Sequence, residues 1–161
     1  MTAEAPIALI TGFPGFLGER LLPRLIEPPP RPEFLCLVQS RFKDQAQQAP
    51  TRLGIPANRA GLVEGDITVD GLGIEASQRD AILARLDSAF HLAAVYDLAV
   101  TADFAYKVNV IGTRHMIAFA KQAPNFSRFH HISTAYVSGT FEGVFRETDL
   151  DRGQGFKNHY E

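Results

Sequence analysis

Apolar residues in this chain gather in five short runs, and amphipathic stretches separate them. Ile7-Ala-Leu-Ile-Thr11 is too short for a helix and apolar at consecutive positions, the pattern of a strand buried on both faces. Phe34 to Gln39, Ser88-Ala-Phe-His-Leu-Ala-Ala94 and Phe129 to Ser133 repeat it, and Gly61-Leu-Val-Glu-Gly65 is a weaker third strand. Phe16 to Ile26 carries Leu17, Leu21, Leu22, Leu25 and Ile26 on one side, which predicts a helix. Glu27-Pro-Pro-Pro-Arg-Pro32 should stop it, because proline cannot continue the hydrogen-bond ladder. Residues 41–60 are polar and predict one helix and then a loop. Ser77 to Leu86 predicts another, with Ser77 as its cap. From about Ala102 to Ala123, Ala105, Val108, Gly112, Met116 and Phe119 recur at spacings of three and four, which predicts one long helix.

Strands and helices therefore alternate from end to end. That order predicts an α/β chain: a Rossmann-like, doubly wound parallel sheet with right-handed crossovers. Ligands of such sheets bind beyond the carboxyl ends of the strands. The loops after strands one, two, four and five are the expected place for chemistry.

The sharpest motif lies in the first of these loops. Thr11-Gly12-Phe13-Pro14-Gly15-Phe16-Leu17-Gly18 leaves a strand and opens a helix. Gly12 suits the tight turn, Gly15 lets a pyrophosphate approach the backbone, and Gly18 lets the helix pack closely on the sheet. The helix N-terminus offers unpaired N–H groups and a partial positive charge to an anion. Three glycines in an ordinary turn are the bland alternative; the flanking strand and helix favour dinucleotide binding. About twenty residues on, strand two ends in Gln39, Ser40 and Arg41, with no carboxylate before Asp44. An acidic residue there would take the ribose 2′-hydroxyl of NAD; arginine pairs with a 2′-phosphate. NADP(H) is thus expected over NAD(H), although Arg41 and Lys43 would also suit a solvated helix start.

Composition narrows the partners. Sixteen Lys and Arg against 18 Asp and Glu leave a formal charge of −2, without the basic excess of a nucleic-acid binder. A length of 161 residues suits one domain, and no apolar run approaches the roughly 18 residues of a membrane helix. The start, Met1-Thr-Ala-Glu-Ala-Pro6, does not read as a signal peptide. The single cysteine, Cys36, lies inside an apolar run and reads as a packed hydrophobe in a reducing, cytoplasmic setting. The five histidines show no zinc-ligand spacing, so no metal site is expected.

The three-residue glycine interval resembles that of the short-chain dehydrogenase/reductase superfamily, extended branch. Further segments line up in the same order: Gly65-Asp-Ile67, Phe90-His-Leu-Ala-Ala94, Val108-Asn-Val-Ile-Gly-Thr113, His131-Ile-Ser-Thr-Ala-Tyr-Val-Ser-Gly139 and Asn158-His-Tyr-Glu161. Together they resemble the fatty acyl-CoA reductase and thioester reductase ("male sterility") branch. The resemblance implies that Asp66 and Ile67 lie against the adenine, and that Ala93 and Ala94 are small where the cofactor ribose passes. It implies a helix-structural or water-relay role for Asn109, beside the plain reading of an ordinary polar position. His91 reads as a packed strand histidine rather than a catalyst.

Tyr160 matches the family's catalytic tyrosine and Thr134 its hydroxyl residue, with Ser133 adjacent and able to serve instead. The implied reaction is hydride delivery from a nicotinamide to a carbonyl. Tyr160 would supply the proton and Thr134 a hydrogen bond to the same oxygen. The implied substrate is a small molecule: an acyl thioester, aldehyde or ketone. Nucleotide-sugar epimerases or dehydratases and hydroxysteroid-type dehydrogenases share the scaffold, and a non-catalytic dinucleotide-binding module is a third reading. The resemblance implies a lysine four residues after the tyrosine, a position past the given Glu161, that holds the ribose and makes the tyrosine a better acid. Residues 1–161 are therefore expected to be the NADP-binding N-terminal part of a protein of ~300 residues or more. The substrate-binding segments and the completing strands would lie beyond, and the piece alone would be inactive. A homodimer through the long helix and the tyrosine helix is the family's implied assembly.

Overall fold

The computed structural model describes residues 5–27, 32–56 and 58–161. Five parallel strands form one sheet in the order β3-β2-β1-β4-β5, with β1 Ile7–Thr11, β2 Glu33–Val38, β3 Ala60–Glu64, β4 Leu86–His91 and β5 Arg128–His131. Helices α1 (Phe16–Ile26), α2 (Lys43–Leu53) and α3 (Ala76–Arg85) join them, followed by α4 (Ala102–Tyr106) and α5 (Thr113–Ala120). The chain builds outward from β1 to β3, then returns to the other side of β1 to lay down β4. The topological switch, and with it the ligand crevice of such sheets, therefore lies between β1 and β4.

Consecutive apolar residues in β1 are explained by two cores. Ile7 and Leu9 point into one cluster with Leu37, Leu72, Met116 and Phe119, while Ala8 and Ile10 point into the other with Leu22, Phe34, Cys36 and Ala46. The strand period of two sends successive side chains to opposite faces, and helices cover both. Leu9 and Ile10 are each fully buried, so each contributes roughly 1.5–3 kcal/mol of apolar burial. Cys36 sits in the second core, where burial pushes its thiol pKa up to about 12. The lone cysteine is thus an inert packing residue, as its apolar run suggests.

Several boundaries differ from those read off the sequence, each for a visible reason. β2 stops at Val38 because Gln39 opens a short 3₁₀ turn, Ser40–Phe42. β4 stops at His91, not Ala94, because the N–H groups of Leu92 and Ala93 turn to the Thr11 hydroxyl. β5 stops at His131, not Ser133, and Thr134 caps the 3₁₀ turn Ala135–Ser138. The cap of α3 is Glu75 rather than Ser77: the Glu75 carboxylate takes the N–H groups of Ser77 and Gln78, and the Ser77 hydroxyl too.

The expected long helix is interrupted. A π-helical stretch, Lys107–Gly112, separates α4 from α5, and α5 ends at Ala120 rather than Ala123. Within this stretch the Thr113 N–H bonds Val110 O, and the Thr113 hydroxyl takes the Asn109 carbonyl instead. The proline run expected to stop α1 falls at 28–31, and the N-terminal segment read for a signal peptide begins at 1–4; both lie outside the described residues. No helix among the described residues is long and apolar enough to cross a membrane.

Candidate functional site

The glycine loop leaves β1 as a tight turn with its backbone pressed against the end of β4. Gly12 has φ +82°, and a Cβ there would lie 2.8 Å from both Ala93 N and Leu92 C. Only glycine satisfies both the conformation and the approach. Gly15 and Gly18 both crowd the Gly12 carbonyl, where an added Cβ would come within 2.8 and 2.9 Å of it. Gly15 is the N-cap of α1 and no side chain caps the helix. The first-turn N–H groups therefore face outward with the helix dipole behind them, and exposed Gly15 leaves room for a ligand's backbone approach. That cradle fits a pyrophosphate. Phe16 and Leu17 lie at its rim, 67% and 50% exposed, and the Phe13–Pro14 peptide bond is cis.

A buried polar relay ties this loop to the sheet and to the π-helical stretch. Thr11 Oγ1 lies 2.8 Å from His91 Nδ1, and His91 Nε2 lies 2.9 Å from Thr113 Oγ1. Thr113 spends its only hydroxyl proton on Asn109 O at 2.7 Å. It must therefore accept from His91, which places the ring proton on Nε2. Nδ1 is then an acceptor, and the Thr11 hydroxyl donates to it. The same Thr11 oxygen accepts the N–H groups of Leu92 and Ala93, both at 3.2 Å. One neutral tautomer thus satisfies every group. Burial pushes the His91 pKa down to about 4, with His131 adding to the effect. The packed strand histidine expected from the sequence is therefore a structural clamp, 1% exposed.

Asn109 works from the same stretch. Its Oδ1 accepts the Val95 N–H and its Nδ2 donates to Val95 O, both at 2.8 Å. It holds the loop after β4, where Ala93 is half-buried and Ala94 exposed. Gly112 ends the stretch against Ile67, whose side chain an added Cβ would meet at 2.8 Å. The loop after β3, not among the loops expected from topology, thereby joins the site.

At the other end of the crevice, Gln39 links two charged residues. Gln39 Nε2 donates to Asp66 Oδ2 at 2.8 Å, and Arg41 Nε donates to Gln39 Oε1 at 2.9 Å. Asp66 Oδ1 accepts the Thr68 N–H at 2.8 Å. Partial burial works against the Asp66 charge, but the bonds from Thr68 and Gln39 and the Lys107 charge hold its pKa below the ordinary carboxylate value. The Arg41 guanidinium lies 4.7 Å from the Phe42 ring, and its two terminal nitrogens have no protein partner among the described residues. Its orientation is set while its forked end stays free, which fits a phosphate. Glu64, which the sequence did not single out, closes this corner: it accepts from Ser40 Oγ at 2.5 Å and from Lys43 Nζ at 3.3 Å. Its place at the carboxyl end of β3 was the available signal.

The hydroxyl residues lie beyond β5. Thr134 is half-buried and its Oγ1 accepts the Tyr136 N–H at 3.2 Å, which leaves its own proton to donate. Ser133 is exposed. Tyr160 is half-buried and non-helical, in a turn closed by Asn158: the Tyr160 and Glu161 N–H groups donate to Asn158 Oδ1, and Asn158 Nδ2 donates to Glu161. Among the described residues no hydrogen bond joins Tyr160 to Thr134 or Ser133. No group of three or more His, Cys, Asp or Glu among them could hold a metal ion.

With this geometry in place, the chain matches the male sterility protein family over residues 10–161. The chain belongs to that family. It is thus a member of the fatty acyl-CoA reductase-like branch of the extended short-chain dehydrogenases/reductases. A probable fatty acyl-CoA reductase of Arabidopsis thaliana is 27% identical over 94% of this chain and 35% of its own length. A linear gramicidin synthase of Brevibacillus parabrevis is 31% identical over 89% of this chain and 3% of its own. Among solved structures, the terminal R domain of the myxalamid biosynthetic pathway superposes with a TM-score of 0.82 at 24% identity, covering 99% of this chain and 43% of that one. A UDP-glucuronic acid 4-epimerase of Bacillus cereus in complex with NAD superposes at 0.71 and 21% identity, over 96% and 47%. These two likenesses show the fold. This male sterility family chain spans about a third of the length of the curated fatty acyl-CoA reductases it matches.

Proposed function

We propose that residues 1–161 are the cofactor-binding part of an NADP(H)-dependent oxidoreductase that reduces an acyl thioester, aldehyde or ketone. The observation that carries the reading is Arg41, held by Gln39 with its forked end free, at the end of β2, the strand paired with the β1 that leads into the uncapped N-terminus of α1. A bound nicotinamide dinucleotide supplies the hydride. The chain's own residues do the rest. The first turn of α1 binds the pyrophosphate, Arg41 the 2′-phosphate, and Asp66 and Ile67 the adenine. Ala93 and Ala94 leave space for the ribose. Thr134 donates a hydrogen bond to the carbonyl oxygen, with Ser133 as its substitute, and Tyr160 supplies the proton.

The relatives support reductase chemistry on acyl thioesters: the Arabidopsis thaliana relative is a probable fatty acyl-CoA reductase by name. Tyr160 has no cationic partner among the described residues. That supports cofactor binding without turnover by the 161-residue chain. The test is a calorimetric titration of NADPH and NADH on this chain and on Arg41→Ala. NADPH should bind selectively, and the variant should lose about tenfold, the scale of a charge-assisted contact. Equal binding of both cofactors by the unaltered chain would remove the basis of the reading.

A further inference from the structure

β2 and β3 pair in parallel with Val38 opposite Glu64, so both strands end level. The turn that follows Val38 carries Ser40 and Arg41 and leads into Lys43 at the start of α2, the polar groups available to a ribose 2′-phosphate. Two of these three are engaged by one protein anion: Glu64 accepts from Ser40 Oγ at 2.5 Å and from Lys43 Nζ at 3.3 Å. A hydroxyl and an ammonium gripping a carboxylate are the partners a phosphate oxygen would also choose. Arg41, the third, has no hydrogen bond or ion pair with Glu64, and its forked end has no partner among the described residues. The Lys43 and Glu64 side chains are 56% and 51% exposed, so solvent screens the pair and its bond is readily exchanged. Both residues also line an open groove of about 320 Å³.

The geometry points to Glu64 as an internal stand-in for the 2′-phosphate, a specificity-determining residue that competes with it for Ser40 and Lys43. This rests on the reading that Arg41 receives that phosphate. When NADP(H) enters, its dianion draws Ser40 and Lys43 from Glu64, and the displaced carboxylate repels it. NAD(H) has no such charge and leaves the pair intact. Glu64 therefore lowers the preference for NADP(H) that Arg41 creates, and the balance of the two sets the cofactor ratio.

Glu64→Gln keeps the shape and removes the charge. It should raise NADPH affinity about fivefold, the scale of one solvent-screened charge interaction. NADH affinity should stay within about twofold. Ser40→Ala should lower NADPH affinity and shrink the gain from Glu64→Gln when the two are combined, because both act through one contact. All are read as dissociation constants by calorimetry, with circular dichroism to confirm folding. Unchanged or weaker NADPH binding in Glu64→Gln overturns the proposal when the parent chain prefers NADPH and Arg41→Ala loses that preference. Absence of any preference in the parent chain, with Arg41→Ala inert, instead overturns the reading of Arg41 and this inference with it.

Discussion

Replacing Thr11 by valine keeps the shape of a side chain that is 1% exposed and removes one hydroxyl. That hydroxyl accepts two N–H groups, from Leu92 and Ala93, and donates to His91 Nδ1. The variant leaves all three without their partner. An unsatisfied buried polar group costs about 1–3 kcal/mol. Leu92 and Ala93 are half-buried, so water recovers part of the loss at the two amides. The sum is then roughly 2–4 kcal/mol. For a chain of this length that lowers the thermal midpoint by on the order of 5–15 °C. Urea and thermal unfolding followed by circular dichroism measure it. Thr11→Ser, which keeps the hydroxyl and loses one methyl, should stay within about 1.5 kcal/mol of the parent. A Thr11→Val variant within about 0.5 kcal/mol of the parent, or a serine variant as damaged as the valine one, would refute the relay as a stabilising network.

The relay also sets a pH dependence. The His91 pKa is lowered from 6.5 to about 4, so the unfolded chain takes a proton that the folded chain refuses. The stability is complete above pH 6.5 and is lost as pH falls from 6.5 to about 4, by at most about 3 kcal/mol. His91→Gln should flatten the urea midpoint across that window relative to the parent; parallel curves would contradict the assignment. Gly12→Ala must accommodate a Cβ 2.8 Å from Ala93 N at φ +82°, and should cost more than about 2 kcal/mol and abolish dinucleotide binding by calorimetry. Cys36, with its pKa near 12 in the core, should resist iodoacetamide at pH 8 and react in urea, as read by mass. Rapid labelling of the native chain would show that the core opens.

The order of elements and the glycine loop were legible in the amino-acid sequence because their causes are local. An apolar run such as Ile7 to Ile10 can only be a doubly covered strand in a chain that alternates with amphipathic helices. A glycine at 12 between strand and helix marks a backbone turn that other residues resist, and the structure places it at φ +82°. Gln39, Ser40 and Arg41 at the end of β2 follow from topology, since every parallel strand delivers its carboxyl end to the same edge.

The pairings at that edge were not legible. Thr11 meets His91 across 80 residues, His91 meets Thr113 across 22, and Gln39 meets Asp66 across 27. Each contact depends on which strands are neighbours and in what register, and no local pattern encodes that. The π-helical stretch is a consequence of the same kind. Its sequence repeats at ordinary helical spacing, but Asn109 is held by Val95, and Thr113 turns its hydroxyl to the Asn109 carbonyl while receiving His91. Glu64 reads as an ordinary exposed acid until the register of β2 and β3 sets it beside Ser40 and Lys43. Local sequence determined which residues could form the crevice. The strand order and the buried polar contacts decided how they are held, because a buried donor must find an acceptor wherever the fold has brought one.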